Sequence, residues 1–237
     1  MNIVCVTAHQ DDEMNCLGTL LRLHRERGDR ISFVALTNGD RGASWTPDAP
    51  LAETAAVRAA EMQSVADAFG GTYVCLGEPD EFLFDTTDVR MRLIETLRAL
   101  SAELIFTHNP AEYNQDHVTT AQVTCHAALM TEIASIPTSS AALARAPGIF
   151  HLTPGEGYGF DGTHFVALPP EIVAEKSRLI RLHVSQNEVI RERGGRDFAD
   201  RMEERDRATG ARIAQDAAEV FRPCLLDRRI PFGNVLP

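Results

Sequence analysis

The stretch that decides the fold is MNIVCVTAHQDDE, residues 1–13. Ile3, Val4, Cys5 and Val6 run without a polar break, and after Thr7 and Ala8 the chain turns abruptly polar at His9, Gln10, Asp11, Asp12 and Glu13. A short β-branched run of this kind suits a strand covered on both faces, as in a parallel sheet; a half-exposed strand would alternate. The polar cluster then falls just beyond the C-terminal end of that strand. Open α/β sheets bind their ligands there.

Working outward, the same pattern recurs. Runs 31–37, 72–76 and 104–107 are near-continuously apolar and read as further strands, with helices predicted over 16–27, 51–69, 88–100 and 117–133. In the second helix Val57, Met62, Val65 and Phe69 keep a rough three-to-four spacing, and Gly28 and Gly70 follow two of the helices as C-terminal caps. Strands alternating with helices predict an α/β fold: a Rossmann-like, mostly parallel sheet flanked by helices. Beyond about residue 135 the pattern loosens into a C-terminal elaboration, with Pro137, Pro147 and Gly148 as turn formers. Strands are expected at 149–152 and 165–168, a Gly-rich loop at 151–162, helices at 170–183 and 198–221, and an extended tail at 228–237. No linker or repeat divides the chain, so 1–237 reads as a single domain.

Composition narrows the function. A chain of 237 residues buries a sizeable core unaided, so a metal ion here is expected to do chemistry and not to hold the fold. A net charge of -11 argues against nucleic acid as the main partner and leaves a small-molecule substrate. No apolar run approaches the ~18 residues of a membrane span, and no basic-then-apolar leader opens the chain. Cys5, Cys16, Cys75, Cys125 and Cys224 are scattered and never form CxxC, which fits a reducing cytoplasm, and Cys5 and Cys75, inside apolar runs, read as buried small hydrophobes.

Three polar clusters follow predicted strands: 8–13, 37–41, and 107–110 leading into 113–117. His9 and Asp12 stand three apart on a tight turn, and His117 follows the fourth strand. Two histidines and a carboxylate make a three-ligand zinc site with an open position. Asp11, whose side chain diverges from that of Asp12, is then free to hold a water molecule and take its proton. The bland reading is that these acids cap helices, Asp116 included. Spacing alone leaves the two level. No GxGxxG follows the first strand and no GxSxG is present, which removes dinucleotide binding and a serine nucleophile.

At these residues the chain resembles the PIG-L/LmbE-like family of zinc-dependent N-deacetylases. The likeness rests on Ala8-His9-Gln10-Asp11-Asp12-Glu13 with Gly18-Thr19-Leu20 downstream, and on Asp116-His117. Softer similarities are Thr37-Asn38-Gly39-Asp40, Arg58-x-x-Glu61 and Leu182-His183-Val184-Ser185-Gln186. The resemblance implies that His9, Asp12 and His117 bind Zn2+, that Asp11 is the general base, and that water hydrolyses the amide of a small, N-acetylglucosamine-like or sugar-conjugate substrate. Homo-oligomers are common among such proteins. Gln10 replaces the family's proline, a turn-shaping residue. Asn114 replaces a histidine that steadies the oxyanion or protonates the leaving amine; an amide can donate a hydrogen bond but cannot deliver a proton at neutral pH. The same ligands accept iron or cobalt. Rival readings are an amidase for another small amide, such as a thiol conjugate, and a non-catalytic Rossmann-like binding protein. Arg41 and Glu61 read equally as substrate contacts or a structural ion pair. Asp80, Glu81 and Asp85 read as solvated loop acids before sugar contacts, and His183 and Gln186 as structural. His108 divides evenly between lining the site and bonding to the backbone.

Overall fold

The computed structural model describes residues 1–43, 48–155, 159–231, 233 and 235–237. Strand β1 (Asn2–Thr7) leads through a 3₁₀ turn (Asp12–Asn15) to α1 (Leu17–Arg27). There follow β2 (Arg30–Thr37), α2 (Leu51–Ala68), β3 (Thr72–Glu78), α3 (Thr87–Ala99), β4 (Leu104–Thr107) and α4 (Gln115–Met130). The second half comprises β5 (Gly148–His151), β6 (His164–Ala167), α5 (Pro170–Ile180), α6 (Val184–Gly194), α7 (Phe198–Ala211) and β7 (Ala218–Pro223).

The seven strands form one sheet in the order β3-β2-β1-β4-β5-β7-β6. From β3 to β5 every neighbour is parallel. β7 runs antiparallel to both β5 and β6, which closes the elaborated edge. The mostly parallel α/β sheet expected from the sequence is present. Alternate residues of β1 serve opposite cores: Ile3 and Cys5 join Leu17, Leu20 and Met62 on one face, while Val4 and Val6 join Leu93, Leu97 and Val123 on the other. That two-sided burial is why the strand has no polar alternation. Gly28 takes φ 69 at the end of α1, a left-handed cap that any Cβ would strain.

Two expectations need correction. Residues 198–221 are not one helix: α7 stops at Ala211 and the chain returns as β7. The turn depends on Gly210, where a Cβ would lie 2.6 Å from Ala217 Cα. No proline announces the break, so the helical reading ran on. The helix expected over 170–183 ends at Ile180, and α6, with its polar sequence, was not foreseen. Within the expected Gly-rich loop and tail, residues 156–158, 232 and 234 lie outside the described residues. Among the described residues no helix is long and apolar enough to cross a membrane.

What the fold does for function follows from the order of strands. β1 and β4 are neighbours, yet the chain leaves β1 towards β2 and β4 towards β5. The loops therefore part at this point and open a crevice at the carboxyl ends. Residues 8–16 form one lip and residues 108–114 the other.

Candidate metal centre

Three donors from the two lips meet. His9 Nδ1 lies 3.2 Å from His117 Nε2 and 3.3 Å from Asp12 Oδ2, and His117 Nε2 lies 3.3 Å from Asp12 Oδ1. A tetrahedral ion with bonds of about 2.0–2.1 Å spaces its ligands about 3.3 Å apart. The sequence brings them together through a turn and a helix start. The His9 backbone N–H donates to Asp12 Oδ2 at 2.8 Å, fixing the carboxylate under the turn. His117 stands in the first turn of α4, capped by Asn114, whose Oδ1 accepts from the N–H groups of Asp116 at 2.8 Å and His117 at 3.3 Å.

Each histidine is held from behind by a carboxylate. His117 Nδ1 donates to Glu112 Oε1 at 2.8 Å, and His9 Nε2 faces Asp80 Oδ1 at 2.9 Å and Asp116 Oδ2 at 3.4 Å. For His117 this places a ring proton on Nδ1 and turns Nε2 inward, the pattern of a metal-binding histidine, whereas His9 Nε2 faces its two acids without a hydrogen bond to either. His108 completes the wall. Its Nε2 accepts the Ala8 N–H at 3.0 Å, and its ring stacks on His117 with centroids 3.9 Å apart. It thus both lines the cavity and bonds to the backbone.

The electrostatics favour positive charge at the centre. Burial pushes His9 down, but Asp116, Asp12 and Asp80 outweigh it and hold its pKa well above the usual value. For His117 burial is likewise overcome by Asp12 and Glu112, giving about 9. Asp12 is held well below the carboxylate range, burial being outweighed by His117 and His108. Asp11 moves the other way, to about 6, because burial exceeds the opposing pull of Arg58. Its Oδ1 lies 2.9 Å from Arg58 Nη2, and its backbone takes φ 155, a setting rare for L residues. Arg58 also bonds the Gln10 carbonyl at 3.1 Å and approaches Asp80 at 3.6 Å, so it clamps the motif turn.

Several sequence readings change. Asp80 is no solvated loop acid: it is buried, and it backs His9. Asp116 does not cap α4; it accepts the N–H groups of Glu81 at 2.7 Å and Leu83 at 3.1 Å and pins that loop beside the centre. Asp85 keeps the surface role expected of it, pairing with Arg90 at 2.5 Å. Arg41 pairs with its neighbour Asp40 at 3.4 Å, and Glu61 accepts the Ser185 N–H and hydroxyl at 2.8 and 2.7 Å. His183 donates to Glu13 at 2.8 Å, both buried, so the Leu182–Gln186 similarity is an anchor for the motif turn. Gln10, in the proline's place, donates to the Thr37 carbonyl at 2.9 Å. Glu112 and Arg58 had no assigned role; each depends on contacts distant in sequence or on loop geometry, which spacing does not encode. The cysteines also differ from their reading: Cys5 is buried but Cys75 is exposed, and Cys125, His151 and Cys224 offer donor atoms within 4.8 Å of one another.

A cavity of about 240 Å3 opens beside the triad, lined by Asp11, Asp12, His108 and His117 on one side and by α7 on the other. Asn114 is not among the residues that line it. A mostly parallel α/β sheet with paired histidines, carboxylates and an ionisable acid at its switch point defines a hydrolase-like α/β protein with a candidate metal centre. The family described as PIG-L: GlcNAc-PI de-N-acetylase matches residues 4–128, more than half of the chain, and the protein belongs to that family of amide-hydrolysing enzymes.

Solved structures agree in fold. N,N'-diacetylchitobiose deacetylase from Pyrococcus horikoshii superposes with a TM-score of 0.79 at 20% identity over 94% of this chain and 83% of its own. GalB, the 4-carboxy-2-hydroxymuconate hydratase from Pseudomonas putida KT2440, gives 0.78 at 20% identity over 99% and 100%. The zinc-inhibited form of teicoplanin deacetylase Orf2 gives 0.62 at 14% identity over 95% and 99%. No curated protein matches the chain in sequence.

Proposed function

We propose that the protein is a zinc-dependent amide hydrolase that removes an acyl group, acetyl in the first instance, from the nitrogen of a small molecule. One observation carries this reading: the donors of His9, Asp12 and His117 stand 3.2–3.3 Å apart, and both imidazoles are backed by carboxylates. Donors converging this closely repel unless a proton or a metal ion lies between them, and the open cavity beside them gives an ion access. A zinc ion held by these residues supplies Lewis acidity, polarising the amide carbonyl and acidifying water.

The chain's own residues do the rest. Asp11, ionised near neutral pH and beside the triad, orients the attacking water and accepts its proton at a carboxylate oxygen. Arg58 keeps that carboxylate in place and partly ionised. Asp11 then returns the proton to the departing amine. This is consistent with Asn114, which cannot act as an acid and whose carbonyl oxygen is engaged in capping α4. Asn114 is accordingly a positioning residue, setting His117 and Asp116. The deacetylases among the structural neighbours support an N-acetyl sugar or sugar conjugate as substrate. The cavity's modest volume favours a small one.

The test is to incubate zinc-loaded protein with a panel of N-acetyl sugars and other small N-acyl amines, measuring amine and carboxylic acid together. Equal release of both, abolished by chelation and restored by zinc, is the expected result. A metal-loaded protein that releases no amine from any member would overturn the reading. The hydratase neighbour offers one second reading, addition of water to an unsaturated acid, which consumes the alkene without releasing amine.

A further inference from the structure

We infer that the wall of the cavity facing the triad is an anion subsite, in which Arg201 and Arg205 of α7 receive a carboxylate or phosphate group of the substrate. The inference rests on the proposed hydrolase reading only for the end of the cavity where the reacting amide lies.

Phe198, Arg201, Met202 and Arg205 are spaced by one helical turn and line the same cavity as His117 and Asp11. Among the described residues neither guanidinium group forms an ion pair, and the carboxylates of Asp206, Glu219 and Glu112 act on Arg205 only from further off. Arg205 donates only to neutral acceptors, the side-chain oxygen of Asn15 and the Gly155 carbonyl at 3.5 Å. The contrast within α7 is direct: Arg207, turned away from the triad, pairs with Glu203 at 2.6 Å. Shortage of acids is no explanation in a chain of net charge -11.

Leaving Arg205 so is costly. Burial depresses its pKa by more than the charges of Asp206, Glu219 and Glu112 raise it, and the neighbouring charge of Arg201 adds to the burial effect. Like charges four residues apart on one helical face also repel. An oxyanion between them would offset both effects, and the planar guanidinium fork matches carboxylate or phosphate oxygens two at a time. The cavity is therefore bipolar, with metal-binding and acidic groups at one end and unpaired cations at the other. A substrate that fills it carries an amide and, a few bonds away, an anionic group. A neutral N-acetyl sugar would leave the arginines unmatched.

The test is calorimetric titration of zinc-loaded protein with succinate, succinamide and inorganic phosphate. Wild type is compared with Arg205→Met, Arg205→Lys and Arg201→Met, zinc content and melting temperature being measured for each. Succinate is expected to bind about tenfold or more tighter than its diamide, the strength of a charge-assisted hydrogen bond. Arg205→Met should abolish that preference with zinc content unchanged, and Arg205→Lys should keep part of it. Whichever of succinate and phosphate binds more tightly identifies the group. Arg201 is exposed, so Arg201→Met, expected to weaken the preference, supplies the answer if Arg205→Met does not fold. Equal affinity for acid and diamide, or an acid preference that survives both Met variants, overturns the inference; the latter would mean coordination to zinc alone. No turnover is needed, so a failure of the amide-hydrolase reading would show separately, in the assay for released amine.

Discussion

Two buried charge clusters in this molecule solve the same problem differently. In one, Lys176 of α5 lies 2.5 Å from Asp206 of α7 and 2.7 Å from Glu219 of β7, all within the core. Glu219 also accepts the N–H groups of Gly18 at 2.9 Å and Thr19 at 2.7 Å, at the start of α1. There the chain supplies its own cation and the first amides of a helix, although burial and the charge of Glu219 still hold the Asp206 pKa up at about 6. In the other, at the strand switch point, Asp12, Asp80, Asp116 and Glu112 crowd His9 and His117, and the positive charge comes from Arg58 and from protons on the imidazoles. The first cluster is a closed structural tie; in the second, part of the positive charge is exchangeable protons, whose place a metal ion can take. Burial of acids alone does not separate structure from chemistry. What separates them is whether the counter-charge is fixed in the chain or exchangeable.

The sharpest way to break the comparison is to remove the internal cation. Lys176→Met strands two buried carboxylates and should cost about 3–5 kcal/mol of folding stability, read by urea denaturation. A loss well below 1 kcal/mol would show that the cluster is no tie. At the open centre the expected loss is of activity. Asp11→Asn should retain zinc and lower turnover roughly a hundredfold or more. Asp11 must be ionised to act, so kcat/KM in the parent should fall as pH drops through about 6 or below, since a nearby cation favours the carboxylate. Arg58→Gln removes a pull that lowers the Asp11 pKa, and should move that acid limb to higher pH. An unmoved limb, or zinc loss in Asp11→Asn, would place the base elsewhere.

A third effect follows from His117, whose metal-free pKa is about 9. It is protonated at pH 7 and must give up that proton to bind metal, so zinc uptake should release protons at pH 7 and progressively fewer as pH rises past 9. Calorimetry in buffers of differing ionisation enthalpy measures this, and no release at pH 7 would contradict the charge argument. The smallest effect is expected at Asn114. Asn114→Ala should cost about 1 kcal/mol through the lost cap and reduce turnover about tenfold. Asn114→Ser, which can cap, should recover most of both; a serine variant as slow as the alanine one would give the amide nitrogen a direct part in catalysis.

The closed cluster was illegible in the sequence, and the open one largely legible, for a physical reason. Parallel strands buried on both faces write themselves as unbroken apolar runs, so β1 to β4 and their end loops could be read directly; the resemblance then singled out His9, Asp12 and His117, which the fold brings together. Lys176, Asp206 and Glu219 sit on three elements, one of which was read as the wrong structure because no breaker separates α7 from β7. The residues that back the histidines were hidden similarly. Asp80 stands in a loop with Glu81 and Asp85, and only the fold turns one of the three inward. Arg201 and Arg205 alternate with acids along α7, a pattern indistinguishable from a solvated helix until the cavity is seen. Partners of a motif, unlike the motif, are set by tertiary contacts with no local signature.

The most direct measurement is zinc content after equilibrium dialysis, made in a Cys224→Ser background so that the thiol grouping does not contribute. The account expects about one zinc per chain in the parent, the capacity of one three-ligand site, and little in either His9→Ala or His117→Ala while circular dichroism shows the fold intact. Full zinc occupancy in the folded His117→Ala protein would contradict it.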